Sequence, residues 1–132
     1  WVTLFEQLRY YSWIVDRFHL STRVWQSVHN GLELDFDWLE QRLRAIGFRI
    51  VLCFRDPRSF AAARSERLEV SGNPGQYDDL ELFVDEQDRF DEAARFSSLP
   101  VMRLDVTDGD RERMCHEVAD WLETEGGLYA DY

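Results

Sequence analysis

Three short β-rich runs constrain this chain most: residues 12–16 (SWIVD), 48–54 (FRIVLCF) and 101–106 (VMRLDV), each separated from the next by stretches with helical spacing. Alternation of that kind argues for a parallel sheet covered by helices, an α/β fold, because parallel strands need long crossover connections and helices are the usual ones. Phe36, Leu39, Leu43 and Ile46 recur at the i, i+3, i+7, i+10 spacing of an amphipathic helix, with Asp35 or Asp37 available as a cap and Gly47 placed to stop it. Leu80, Phe83, Phe90 and Ala94 predict a second helix, and Met114, Val118, Trp121 and Leu122 a third, ended by Gly126. Asp56-Pro57 is a cap followed by proline at a first helical position, so the middle strand is expected to pass almost directly into helix. The stretch SGNPGQY has the composition of a mobile loop, and residues 71–79 read as lid-like.

At 132 residues the chain is expected to form a single α/β domain over 1–132. Lys and Arg total 15 against 26 Asp and Glu, a net charge of −11, which disfavours general affinity for nucleic acid or an anionic membrane. A phosphate ligand would therefore need a local arginine cluster. Cys53 and Cys115 have no CxxC spacing and read as reduced thiols, and no apolar run reaches the roughly 18 residues of a membrane span. A cytoplasmic protein is expected. Trp1 stands where a Met would begin a chain, and WVTLFEQLRYY has the character of the middle of a helix, so a segment upstream is expected as well.

Charge is delivered where the first run ends. Ligands of open parallel sheets sit beyond the carboxyl ends of the strands, and Asp16 and Arg17 occupy that place. Ser21 then reads as an N-cap, and Ser21, Thr22, Trp25, Gln26 and His29 share an arc of about 140° on a helix of 3.6 residues per turn. A planar base would suit that arc through stacking on Trp25 and amide pairing with Gln26. Spacing alone favours the plainer reading, with Trp25 as core, Ser21 as a cap only and Gln26 solvated. Farther on, Phe60, Arg64 and Arg67 fall at i, i+4 and i+7, so two arginines continue a core-facing stripe toward the loop, either as a lid over phosphate or as partners of nearby acids. His19, His29 and His116 lack metal-ligand spacing, and no metal site is expected.

DRFHLSTRVWQ, residues 16–26, resembles the acceptor-site signature of thymidylate kinases: an Asp-Arg pair ending a strand, then Ser-Thr, then an aromatic and Gln on a helix, with Trp25 where that family commonly has Tyr. The resemblance extends through AAARSER and LPVMRLDVTDGD, to about residue 124. It implies a P-loop-kinase-like domain that transfers a phosphoryl group from ATP, with Mg2+, to a deoxynucleoside monophosphate. Arg17 would hold the acceptor phosphate and Asp16 would arrange magnesium, water or that arginine. Ser21, Trp25 and Gln26 would surround the base, and Arg64 and Arg67 would reach over the donor phosphates. The implied partners are small nucleotides, with no nucleic acid and no membrane, and a homodimer is a possible assembly.

The sequence contains no GxxxxGKS/T phosphate loop, so these residues alone are expected to transfer no phosphate from ATP. In the family order the strand carrying that loop lies between the Asp-Arg strand and the next one. Its absence from an otherwise intact sheet would leave roughly 9 to 10 Å between residues 12–16 and 48–54, or the two would pair directly. Two other readings compete. FRDPRSFAAAR resembles the 3′-phosphonucleotide-binding segment of sulfotransferases, although Ala63 stands where that family usually has Ser. A non-catalytic α/β interaction module is the third.

Overall fold

A computed structural model describes residues 1–73, 75 and 78–127. The described elements run α1 (Val2–Gln7), α2 (His19–Asn30), α3 (Asp37–Ala45), β1 (Ile50–Phe54), α4 (Phe60–Leu68), α5 (Leu80–Arg95), β2 (Val101–Asp105) and α6 (Arg111–Thr124). The fold class is α/β, with β1 and β2 adjacent and parallel in the register Ile50↔Val101 to Phe54↔Asp105.

The first of the three predicted strands, residues 12–16, does not form. Residues 12–15 carry no ladder hydrogen bonds, and Ile14 is 98 % exposed. An extended run becomes a strand only when a neighbour takes its backbone N–H and C=O groups, and among the described residues none does. Direct pairing with β1 is thereby excluded. The helical reading of the first eleven residues also overshoots, because α1 stops at Gln7. Leu8 leaves helical geometry, and its carbonyl accepts from the Trp13 indole at 3.2 Å and from the Tyr11 amide at 3.1 Å, so the chain turns there.

The helix ends follow their capping residues closely. Asp79 caps α5 through Leu82 N and Asp110 caps α6 through Arg113 N, whereas α3 has Phe36, not Asp35 or Asp37, in its cap position and no side-chain cap; Asp35, one residue earlier, accepts from the Asp37 amide at 2.8 Å. Gly47, at φ 78°, supplies the left-handed residue after α3. Asp56 caps as expected, but the turn it starts is 3-10, Pro57–Ser59, before α4 begins. Its carboxyl accepts from the side chain and amide of Arg58, which hold it at about 2.

Two apolar clusters meet at Ile50. One joins α1 and α3 through Phe5, Leu39, Leu43 and Leu99. The other packs α2 and α5 onto one sheet face through Leu20, Val24, Leu52, Ala93 and Ala94. Alternation along the strand explains the choice of face: Ile50 and Leu52 point to α2 and α5, while Val51 and Cys53 point the other way and are exposed. On the covered face Arg103 sits 4.6 Å above the Phe54 ring and pairs with Asp91 at 2.8 Å. Among the described residues no helix is long and apolar enough to cross a membrane.

Candidate functional site

The side chains that reach the cleft do so because α2 buries a neighbouring stripe. Leu20 and Val24 lie one turn apart and are buried against Ala93 and Ala94, whose small side chains let α5 approach closely. Ser21 and Trp25, one position further round the helix, are thereby carried to the flank of the α2–α5 seam. There Arg17, Ser21, Thr22 and Trp25 line a cleft of about 280 Å³ with Glu86 and Phe90 of α5. That lies just below the usual range for ligand sites, which begins at about 300 Å³. Gln87, next to Glu86, accepts from the Arg55 amide and donates to its carbonyl, both at 2.9 Å. Arg55 is the first residue after β1, so this turn of α5 is pinned at the carboxyl end of the strand.

Arg17 has a left-handed backbone, φ 60°, the one non-glycine residue with positive φ among those described. That conformation favours glycine, and a larger residue held there is a local strain of the kind found at binding sites. Its guanidinium has no hydrogen-bond or ion-pair partner among the described residues. Two residues on, His19 is the first residue of α2 and is only 6 % exposed. Its Nε2 meets the buried Glu40 carboxylate of α3 at 2.8 Å. The other contacts of Glu40 come from the turn before β2: Ser97 Oγ at 2.8 Å, and the amide and hydroxyl of Ser98 at 2.6 and 3.1 Å. Burial is the largest influence on Glu40 and pushes its carboxyl up. The Ser98 amide, His19 and Ser97 together outweigh it and leave the group below its ordinary value. The network ties the start of α2, and so the backbone beside Arg17, to α3 and the turn before β2.

The remaining site candidates fall elsewhere. Ser21 is the third residue of α2 and cannot be its N-cap, since the helix begins two residues earlier with Phe18 in the cap position. Gln26 does not line the cleft; its Oε1 accepts from Asn30 at 2.7 Å. Trp25 is 52 % exposed, tilted against His29 with ring centroids 4.9 Å apart, and is therefore not core. Asp16 is exposed, and its charge reaches Cys53, whose thiol, though the residue is exposed, is pushed up first by partial desolvation and second by Asp16. Arg64 pairs with Asp78 at 3.4 Å, and Arg67 is exposed on α4. Neither lines the cleft. Pro74, Gln76 and Tyr77 of the predicted lid loop lie outside the described residues. Arg55 and Arg58 of the RDPR run are engaged with Ser59 and Asp56.

Sequence reasoning missed Glu86 and the His19–Glu40 pair. Glu86 stands four residues before Phe90, so a shared helix face was legible, but nothing local says that this face meets Arg17. His19 and Glu40 are 21 positions apart. Comparison with protein-family models, with curated proteins and with solved structures finds no match to this chain.

Proposed function

We propose that the α2–α5 cleft binds a nucleoside monophosphate, as the phosphate acceptor of a thymidylate-kinase-like phosphoryl transfer. The observation that carries the reading is the placement of Arg17, left-handed and without a partner among the described residues, in the same cleft as the exposed ring of Trp25. A free guanidinium supplies charge-assisted, bidentate recognition of phosphate, and an aromatic face beside it supplies a stacking surface for a base. Ser21 adds a hydroxyl to the lining. Phosphoryl transfer asks mainly for positioning and charge neutralisation, so the cleft needs no dedicated general base.

Among the described residues no group of three or more His, Cys, Asp and Glu side chains gathers to hold a metal. Magnesium in such reactions is commonly held by one or two carboxylates and completed by substrate phosphates. Asp16, exposed at the entry to α2 beside Arg17 but outside the lining of the cleft, is the chain's candidate to hold the ion. Bound there, magnesium would neutralise charge on the transferring phosphoryl group. Arg64 and Arg67 are the chain's candidates for ATP phosphates, Arg64 after release from Asp78.

Thermal shift of the chain with thymidine, cytidine, adenosine and guanosine monophosphates, adenosine 3′,5′-bisphosphate and no ligand tests the reading. A rise in melting temperature with a monophosphate that is lost in Arg17→Ala supports it. Stabilisation by the bisphosphate alone would point to the sulfotransferase-like alternative, and no shift with any nucleotide would leave the interaction module. The exposure of Tyr10, Tyr11 and Ile14, at 80, 67 and 98 %, is what favours that second reading.

A further inference from the structure

We propose that Glu86 is the specificity-determining residue of the cleft and that it selects a guanine base; the inference rests on the monophosphate reading above. Glu86 is half-buried in the wall of the cleft and has no hydrogen-bond or ion-pair partner among the described residues. Its acidic neighbours are used or solvated: Asp79 caps α5, Asp91 pairs with Arg95 and Arg103, and Asp85 and Asp88 point to solvent. Gln26, the amide placed by sequence to read a base, is turned to Asn30. The polar group left facing the cleft from α5 is a carboxylate.

Two charges of opposite sign, neither paired among the described residues, give the cleft a direction. A phosphate is drawn to Arg17 and repelled from Glu86, so a nucleotide enters with its phosphate toward the one and its base toward the other, the ring lying among Trp25 and Phe90. An ionised carboxylate only accepts hydrogen bonds, and its two oxygens suit a pair of parallel donors. Guanine offers that pair on one edge, a ring N–H beside an amino group. Cytosine and adenine offer an amino group next to a ring acceptor, which faces a carboxylate oxygen unfavourably. Thymine offers one imide N–H between two carbonyls, both of which repel the carboxylate. The ranking is therefore guanosine first, cytidine and adenosine next, thymidine last. This order departs from the thymidine preference that the sequence resemblance alone would suggest.

The test is equilibrium titration of the chain with the four monophosphates and with inorganic phosphate, for wild type, Glu86→Gln, Glu86→Ala and Arg17→Ala. Guanosine monophosphate should bind wild type at least about tenfold tighter than thymidine monophosphate, as expected for a charge-assisted pair against a repulsive edge. Glu86→Gln, nearly the same shape but with one donor replacing an acceptor, should weaken the guanosine ligand about tenfold and leave or improve the thymidine one. Glu86→Ala should flatten the ranking in the same sense, and circular-dichroism melting of both variants checks that the fold is retained. Equal loss for all four bases in the Glu86 variants would assign Glu86 to the sugar or to structure and overturn the proposal. So would Arg17-dependent binding of all four monophosphates with no base ranking, which would leave the monophosphate reading standing. No Arg17-dependent binding of any monophosphate would overturn both.

Discussion

Replacing Arg17 by glycine and by alanine separates what its side chain does from what its backbone costs. At φ 60° any residue with a Cβ crowds the following carbonyl, at a cost of ~1–2 kcal/mol. Glycine removes that cost but gives back ~0.5–1 kcal/mol in unfolded-chain entropy. The net expectation for Arg17→Gly is a gain of ~0.5–1 kcal/mol, a rise of roughly 2–4 °C in melting temperature for a domain of this size. Alanine keeps the Cβ and the strain, so Arg17→Ala should stay within about 0.5 kcal/mol of wild type. Both variants lose the guanidinium and with it about 1.5 to 3 kcal/mol of monophosphate binding, roughly a tenfold to hundredfold weaker Kd. Melting without ligand and titration with ligand read the two effects separately. A glycine variant less stable than wild type would refute the strain argument, and one that still binds the monophosphate would refute the anion role.

The Glu40 network should fail asymmetrically. Glu40→Ala leaves His19, the Ser98 amide and two hydroxyls without their acceptor and should cost about 3 kcal/mol or more, read by urea unfolding. Because the folded carboxyl lies below its ordinary value of 4.5, its contribution is present above that pH and is lost as pH falls through the folded value, so wild type should lose stability in acid more steeply than Glu40→Ala. Trp25→Ala should weaken all four monophosphates alike, because stacking is indifferent to the base edge, and titration would contradict this if one base alone were affected. Gln26→Ala, by contrast, should leave both affinity and base ranking unchanged, measured in the same titration.

The legible part of this protein is local. Asp56, Asp79 and Asp110 cap turns within three residues of themselves, and Gly47 adopts a conformation that its own missing Cβ permits, so the sequence determines the turn after β1, the starts of α5 and α6 and the stop of α3. The stripe of Leu39 and Leu43 and the paired runs around Leu52 and Leu104 mark a helix and two strands because apolar residues must alternate or recur on whichever face is buried. Arg17, Ser21 and Trp25 could be proposed together because one helical turn and the residues before it hold them. What lies across the cleft could not. Glu86 and Phe90 reach it only because Ala93 and Ala94 let α5 pack against α2, and Gln26 leaves it because Asn30, a turn away, takes its amide oxygen. SWIVD has the composition of a strand, but strand pairing depends on a neighbour's backbone and not on the run's own side chains. His19 and Glu40 meet for the same reason: burial and a shared hydrogen bond are properties of distant segments brought together, which no local pattern records.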